Sequence, residues 1–412
     1  MYFLYNVLVH LVGFVLKIIA NFNPKMKLFV DGRKNVFEQI KQKIASSDKS
    51  IWFHAASLGE FEQGIPVMEK IKIKFPNHKI IVTFFSPSGF EVRKNNSIAD
   101  LTIYLPLDTT HNAKQFLDLI HPQMVFFIKY EYWPNYLNEL KKRQIKTYLI
   151  SGILRENQVF FKWYGSFYRK CLTTFDFFFV QNESSKKLLQ SLGYQNVKIS
   201  GDTRFDRVIT AAEQWKPIEI VDAFCGTDSV MVAGSTWAED ENILADWMKE
   251  NNRYKLIIAP HEIKSENINR LKTLFPDSIT FSELSTHHSP LTTHRVLIID
   301  NIGYLSRLYK YASVCYVGGG FNKSGHHNIL EAAVYGKPVI TGPNFEKFKE
   351  SVELKKLGGS FSINNVIELK EVMLKMDSSA AGTIAENYVK ENAGATDAIL
   401  NWLQEKRLFT NA

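Results

Sequence analysis

The chain has 412 residues, 45% of them hydrophobic and 22% charged, with 50 Lys+Arg against 42 Asp+Glu and a formal net charge of +8. This is the composition of a globular protein of two to three domains, and it excludes a disordered, collagen-like or polytopic membrane chain. The modest basic excess suits an anionic membrane surface or an anionic substrate; without concentrated basic tracts it argues against nucleic acid as a partner.

The chain opens on YFLYNVLVHLVGFVLKIIANF, residues 2–22, in which Lys17 is the only full charge. That length is close to the roughly 20 apolar residues that cross a bilayer as a helix. The polar positions Asn6, His10, Gly13, Lys17 and Asn21 recur at helical spacing and fall on one narrow stripe. Lys25, Lys27, Arg33 and Lys34 follow, the sign expected on a cytoplasmic flank. A signal peptide would carry its positive charge before the apolar run and a small-residue cleavage site after it, and this run has neither. The segment therefore reads as a membrane anchor, spanning the bilayer or lying in its interface, with the bulk of the chain on the cytoplasmic side. The alternative is a core helix of the first domain.

From there β-branched and aromatic runs at 51–54, 79–85, 124–128, 146–150 and 175–180 alternate with helical periodicity at 64–75, 113–120 and 136–143. The alternation pauses at 206–226, around Trp215-Lys216-Pro217. It resumes with runs at 229–234, 254–260, 295–299, 313–317 and 338–341. Strands alternating with helices imply βαβ units and parallel sheets. The organisation expected is an anchor over 1–24, an α/β domain over 25–205 and a linker over 206–226. A second α/β domain over 227–383 and a C-terminal helix over 384–412, packing back on the first domain, complete it. Ligands of such sheets bind beyond the carboxyl ends of the strands, which would place a site in a cleft between the two domains. Cys171, Cys225 and Cys315 lie far apart without a CxxC, so neither a disulfide framework nor a zinc site is expected.

Several strand ends carry residues suited to chemistry. His54-Ala55-Ala56-Ser57-Leu58-Gly59-Glu60 follows a strand with small residues that let a ligand approach. Glu60 opens the next helix, where an acid is also simply favourable to the helix dipole. Tyr130-Glu131-Tyr132-Trp133-Pro134-Asn135 sets an acid among aromatics before a Pro-initiated helix, which core packing would explain equally. Arg204, after the strand 197–200, would hold a phosphate or a surface carboxylate. Gly234-Ser235-Thr236 ends a strand at an anion-favouring helix start, although Thr236 and Glu239 also have capping-box spacing. Pro260-His261 ends the next strand.

Val317-Gly318-Gly319-Gly320 followed by Asn328-Ile329-Leu330-Glu331 is the strongest local signal. The glycines permit close backbone approach, the following helix would offer N–H groups to a phosphate, and an acid one turn on would take ribose hydroxyls. Neither a GxxxxGK[ST] loop nor HExxH nor a GxSxG elbow occurs, no metal-ligand cluster is evident, and His287–His288 sits in a polar loop.

Taken together, His54-Ala-Ala-Ser-Leu-Gly-Glu60, Glu131-Tyr-Trp-Pro-Asn135, Gly234-Ser-Thr236 and His327-Asn-Ile-Leu-Glu331 with Gly336-Lys-Pro338, in this order after an anchor, resemble the 3-deoxy-D-manno-octulosonic acid (Kdo) transferases of lipopolysaccharide synthesis. The resemblance implies a GT-B fold, two doubly wound Rossmann-like domains facing across a cleft. It also implies an inverting transfer of Kdo from CMP-Kdo to a lipid A precursor at the cytoplasmic face of the inner membrane, with no metal and no cofactor. On that resemblance Glu60 is the general base, and Glu131 and Arg204, where a Lys is more usual, stabilise the transition state. CMP contacts fall on Gly234, Ser235, Thr236, Pro260, His261, Ile302, Gly303, Tyr304, Gly319, Gly320 and Asn328 to Glu331, including Ile329 and Leu330. Ser57 and Gly59 lie on the acceptor side.

The chain departs from the family pattern at Lys129, where an acid is common, and at His261, where Arg often follows the Pro. It departs again at Tyr304 and around Ser324 to Asn328. The alternatives are another GT-B glycosyltransferase using a nucleoside-diphosphate sugar, and a non-catalytic membrane-bound nucleotide-sugar binding protein.

Overall fold

A computed structural model of the chain describes residues 1–286 and 294–406; the His287–His288 pair and the last residues of the expected C-terminal helix lie outside them. The chain divides into two compact units, residues 1–207 with the segment from Ala393 onward, and residues 208–392.

The sheet of the first unit contains β1 (Lys49–Ala55), β2 (His78–Phe84), β3 (Leu101–Tyr104), β4 (Pro122–Ile128), β5 (Lys146–Gly152), β6 (Phe177–Val180) and β7 (Val197–Ile199), in the order β3-β2-β1-β4-β5-β6-β7. All pairings are parallel. Runs such as Met-Val-Phe-Phe-Ile in β4 are apolar on both faces because helices cover both sides of the sheet. Successive side chains divide accordingly. Trp52, Val125 and Phe127 join one core, and Phe53, Phe126 and Ile128 the other.

The second unit repeats the plan with β8 (Ser229–Thr236), β9 (Tyr254–Pro260), β10 (Ser278–Thr280), β11 (Val296–Ile298), β12 (Val314–Val317), β13 (Val339–Thr341) and β14 (Ser360–Ser362), ordered β10-β11-β9-β8-β12-β13-β14. In each sheet the winding reverses between two neighbouring strands, β1 and β4 in the first, β8 and β12 in the second. Their carboxyl ends are where such folds bind ligands.

The first helix, α1 (Tyr2–Ile19), is not a core helix: Gly13 is its one buried residue. Tyr5, Asn6 and Gly13 meet the rest of the first unit, while His10 and Lys17 of the polar stripe stay exposed. Tyr5 donates to Asp108 Oδ2 at 2.7 Å, Asn6 Oδ1 accepts from Asn135 Nδ2 and Thr110 Oγ1 at 3.2 Å, and Gly13 packs on Leu107 so closely that a Cβ would meet it at 2.9 Å. Phe3, Leu4, Leu8, Leu11, Phe14 and Ile18 remain exposed on the other side. Two short helices follow, α2 (Pro24–Asp31) and α3 (Val36–Lys43).

Two expectations about boundaries change. The stretch 206–226, expected as a linker, is largely helical, Thr203–Glu213 and Glu219–Cys225. Its polar character is that of helices with one buried stripe, Val221, Phe224 and Cys225 in the second. The single C-terminal helix is two helices, Ser378–Glu391 and Ala395–Glu405, broken at Gly394, whose φ of 102° lies in the left-handed region. Only the second belongs to the first unit, where Asp206 accepts from Gly394 N and Thr396 N at 2.6 Å and caps it.

Candidate active site

Glu60 stands in the first turn of α4 (Leu58–Lys74), directly after β1, with Ser57 as N-cap. Its Oε2 accepts from the backbone N–H groups of Ala56 and Ser57, the latter at 3.1 Å, so the helix-capping reading is correct as far as it goes. No hydrogen bond reaches Oε1 among the described residues. The side chain is buried, and burial, reinforced by the like charge of Glu131, pushes its carboxyl up to about 7 against the pull of the two amides and Lys129. A group that caps a helix through one oxygen and leaves the other free near neutrality is equipped to take a proton. Gly59, in the same turn, has open space where a side chain would be.

Glu131 follows β4, the neighbour of β1. Its Oε2 accepts from Trp133 Nε1 at 2.9 Å and lies 3.4 Å from His54 Nε2. His54 Nδ1 pairs with Thr83 Oγ1 at 2.8 Å, and Thr83 Oγ1 also takes the Trp52 indole N–H at 2.8 Å. A cavity of about 420 Å³ beside Glu131 is lined by Tyr130, Trp133, Phe160, Tyr168 and, from α1, Tyr5.

Lys129, the departure from the family pattern, has φ 72° and donates its amide to Ile150 O at 2.9 Å. A non-glycine residue held in that region is uncommon. Burial lowers its ammonium, helped by Arg204 and opposed by Glu60 and Asp202, so these four charges share one neighbourhood. Arg204 does not present a bare charge. Its Nε and Nη2 donate to Oδ2 of the buried Asp202 at 2.8 and 2.7 Å.

In the second unit the predicted residues lie after β8, β9, β11 and β12, four neighbouring strands. Thr236 and His261 line a cavity of about 470 Å³ with Trp237, Glu241, Lys264 and Arg270. The His261 ring stacks on Trp237 at 4.6 Å and 21°, and His327 tilts against it at 4.7 Å. Burial and the neighbouring imidazoles pull His327 down to about 4, so at neutral pH it is uncharged. The outcome is a stack of three rings, His261 between Trp237 and His327, beside the basic groups Lys264 and Arg270 and the acid Glu241. Tyr304 lies tilted against Phe281 at 5.0 Å, Gly303 has φ 100°, and Ile302 is exposed.

The glycine loop differs from its expected role. A Cβ on Gly318 would meet Ser235 O at 2.6 Å and one on Gly320 would meet Gly342 N at 2.5 Å, so these glycines admit other backbone rather than a ligand. The Gly319 N–H is taken by Asp240 Oδ2 at 2.8 Å. The helix expected after the loop is the single turn Leu330–Ala333, too short to carry much dipole. Asn328 Oδ1 accepts from Leu330 N at 3.2 Å and its Nδ2 donates to Glu331 Oε1 at 3.3 Å.

Nor do Thr236 and Glu239 form a capping box. Trp237 is the N-cap and donates its N–H to Asp240 at 2.9 Å, while Thr236 Oγ1 donates to Glu241 at 2.9 Å. Glu241 in turn pairs with Arg270.

Sequence reasoning assigned no role to His54, Lys129, Trp237, Asp240 or His327. Asp240 was legible, three residues after the Trp237 that follows β8. The others needed the fold.

Residues 32–207 match the family described as 3-Deoxy-D-manno-octulosonic-acid transferase (kdotransferase). A 3-deoxy-D-manno-octulosonic acid transferase of Aquifex aeolicus (strain VF5) is 28% identical over 336 residues, 80% of this chain and 86% of the relative. A bifunctional glycosyltransferase/methyltransferase of Fusobacterium nucleatum subsp. nucleatum is 26% identical over 361 residues, 84% of this chain; the match spans 54%, about half, of that relative's length. Among solved structures, a UDP-GlcNAc 2-epimerase from Neisseria meningitidis bound to UDP-GlcNAc superposes with a TM-score of 0.59 at 17% identity, over 87% of this chain and 100% of that one. The two doubly wound units are those of a GT-B fold.

Proposed function

We propose that this chain, a glycosyltransferase of the Kdo transferase family, moves Kdo from CMP-Kdo to a primary hydroxyl of a lipid A precursor, with inversion and without a metal. The observation that carries the reading is Glu60: a buried carboxyl at about 7, fixed through Oε2 and free at Oε1. The acceptor oxygen attacks the anomeric carbon of Kdo as its proton passes to Glu60, and the bond to the CMP phosphate breaks with its electron pair. Such a positioned base is worth about 10²–10⁴-fold. Glu131 faces the developing positive charge on the sugar, and Arg204 with Lys129 supplies the cationic counterpart. In the second unit the outer face of the Trp237–His261–His327 stack offers a surface for the cytosine or ribose.

The same reading puts the chain at the cytoplasmic face of the inner membrane, with α1 lying in the interface. Its Tyr5 and Asn6 are spent on Asp108, Asn135 and Thr110, while Phe3, Leu4, Leu11 and Phe14 stay exposed for lipid.

The test is CMP release from CMP-Kdo with a tetra-acylated lipid A precursor, native against Glu60→Gln. Acceptor-dependent release that falls at least about 10²-fold in the variant supports the reaction and the base. Undiminished release in the variant removes Glu60 from the role. Preference for a UDP- or ADP-sugar overturns the donor.

A further inference from the structure

A cavity of about 740 Å³ opens between α1 and the α2–α3 segment. Three features of its lining belong together.

The first is charge. Lys17, Lys27, Arg33 and Lys34 line it against the single acid Asp31. Lys34 is neutralised by Asp31 at 2.6 Å, but neither Lys17 nor Lys27 makes a side-chain hydrogen bond or ion pair among the described residues.

The second is Arg33, a guanidinium held with no carboxylate partner among the described residues. It donates to three backbone carbonyls, Nε to Leu105 O at 2.9 Å, Nη1 to Phe29 O at 2.8 Å and Nη2 to Phe85 O at 2.7 Å. It also lies over the Phe29 ring at 3.6 Å. A guanidinium has five N–H donors, so two remain after these bonds. Carbonyl dipoles and ring faces keep the cation in place without cancelling its charge, and burial lowers the group from its ordinary range.

The third is the apolar remainder. Leu16, Val30, Phe37 and Leu107 line the same space, and its edge on α1 runs into the exposed Phe14, Ile18 and Phe22.

A pocket with uncompensated positive charge, apolar walls and an apolar ramp leading away from it suits an anionic amphiphile. We propose that it holds the phosphate of an anionic bilayer phospholipid, with the acyl chains running out along the exposed face of α1. This rests on the reading that α1 lies at a membrane. The cavity shares no residue with the one beside Glu131, so it is a seat for the enzyme on the bilayer and not part of the acceptor site.

The experiment uses the full chain and phosphatidylcholine vesicles with and without phosphatidylglycerol, at matched ionic strength. Lys17→Gln/Lys27→Gln is compared with Lys41→Gln/Lys43→Gln, which removes the same charge from α3 outside the cavity. Native protein should bind the anionic vesicles about tenfold or more tightly than the neutral ones. The cavity variant should lose most of that preference and the control variant little of it. Monomeric short-chain phosphatidylglycerol, and not its phosphatidylcholine counterpart, should slow hydrogen exchange in α2.

Equal losses in the two variants would mean a diffuse surface field and overturn the proposal. A raised acceptor KM in detergent for the cavity variant would assign the pocket to the acceptor and overturn it too. Binding to both vesicle types without preference sinks the pocket and spares the membrane reading. Binding to neither sinks the membrane reading.

Discussion

His54 and Glu131 meet across two adjacent strands of the first sheet, Nε2 of the one 3.4 Å from Oε2 of the other. The His54 ring is fully buried, and Thr83 holds its opposite nitrogen at 2.8 Å. Trp133 Nε1 lies 2.9 Å from both His54 Nε2 and Glu131 Oε2. With Nε2 accepting from the indole, the proton sits on Nδ1 and is donated to Thr83; this tautomer is assigned from the partners. The indole N–H is thereby shared between the imidazole, which Thr83 fixes, and the acid, so His54 acts on Glu131 through Trp133.

His54→Gln should then act through Glu131. A misplacement of about 1 Å can cost 10²-fold, so kcat should fall between about tenfold and 10²-fold with the acceptor KM nearly unchanged. Glu131→Gln in the same background should add little further loss. Steady-state kinetics on protein with native circular dichroism checks this; a change confined to KM, or fully additive losses, would remove His54 from a positioning role.

The pH dependence follows from Glu60. Its carboxyl must be ionised to accept a proton, so kcat/KM should rise with pH through about 7. Burial is the larger cause of that elevation and the charge of Glu131 the second. Glu131→Gln should therefore lower the rate and also move the acid limb to lower pH. The folded value lies above the ordinary 4.5, so ionised Glu60 costs stability, fully so above pH 7. Glu60→Gln should raise the unfolding free energy by about 1–3 kcal/mol at pH 8, a gain that disappears as pH falls toward 4.5. Chemical denaturation at the two pH values measures it.

Asp240 ties together the loops after β8 and β12. It accepts from Trp237 N at 2.9 Å and from Gly319 N and Tyr316 Oη at 2.8 Å each. Asp240→Ala leaves three donors without a partner, at about 1–3 kcal/mol each where they stay buried. We expect at least about 3 kcal/mol of destabilisation by that count and weaker CMP binding by calorimetry at temperatures where the variant is folded. Asp240→Asn should recover part of both. Unchanged CMP affinity in folded Asp240→Ala would show that the loop geometry does not matter to the nucleotide.

The alternation of apolar strands and amphipathic helices made the two parallel sheets legible, because strands covered on both faces must be apolar along their whole length. The strands it did not reveal are β3, β10 and β14, of 4, 3 and 3 residues, each at or next to a sheet edge and too short to show a period. The helices at Thr203–Glu213 and Glu219–Cys225 were hidden in a polar stretch for the complementary reason, since a helix with a narrow buried stripe is polar on average. The glycines after β12 drew the eye to a ligand, but what approaches Gly318 and Gly320 is the chain's own backbone.

What the sequence alone determined is which residues stand where strands end: Glu60 in a helix's first turn, Glu131 before Trp-Pro-Asn, Thr236 and His261 beyond two strands, and an apolar run with a polar stripe at the start. What only the tertiary structure decided is the state of those groups. Glu60 reaches about 7 because β4 brings Glu131 beside it and the fold removes water from both. Arg204 is paired because Asp202 turns onto it, and Arg33 has no carboxylate partner among the described residues, where backbone carbonyls and rings hold it. A side chain's identity is local, but its charge, its partner and its solvent depend on residues distant in the chain, which only folding brings to it.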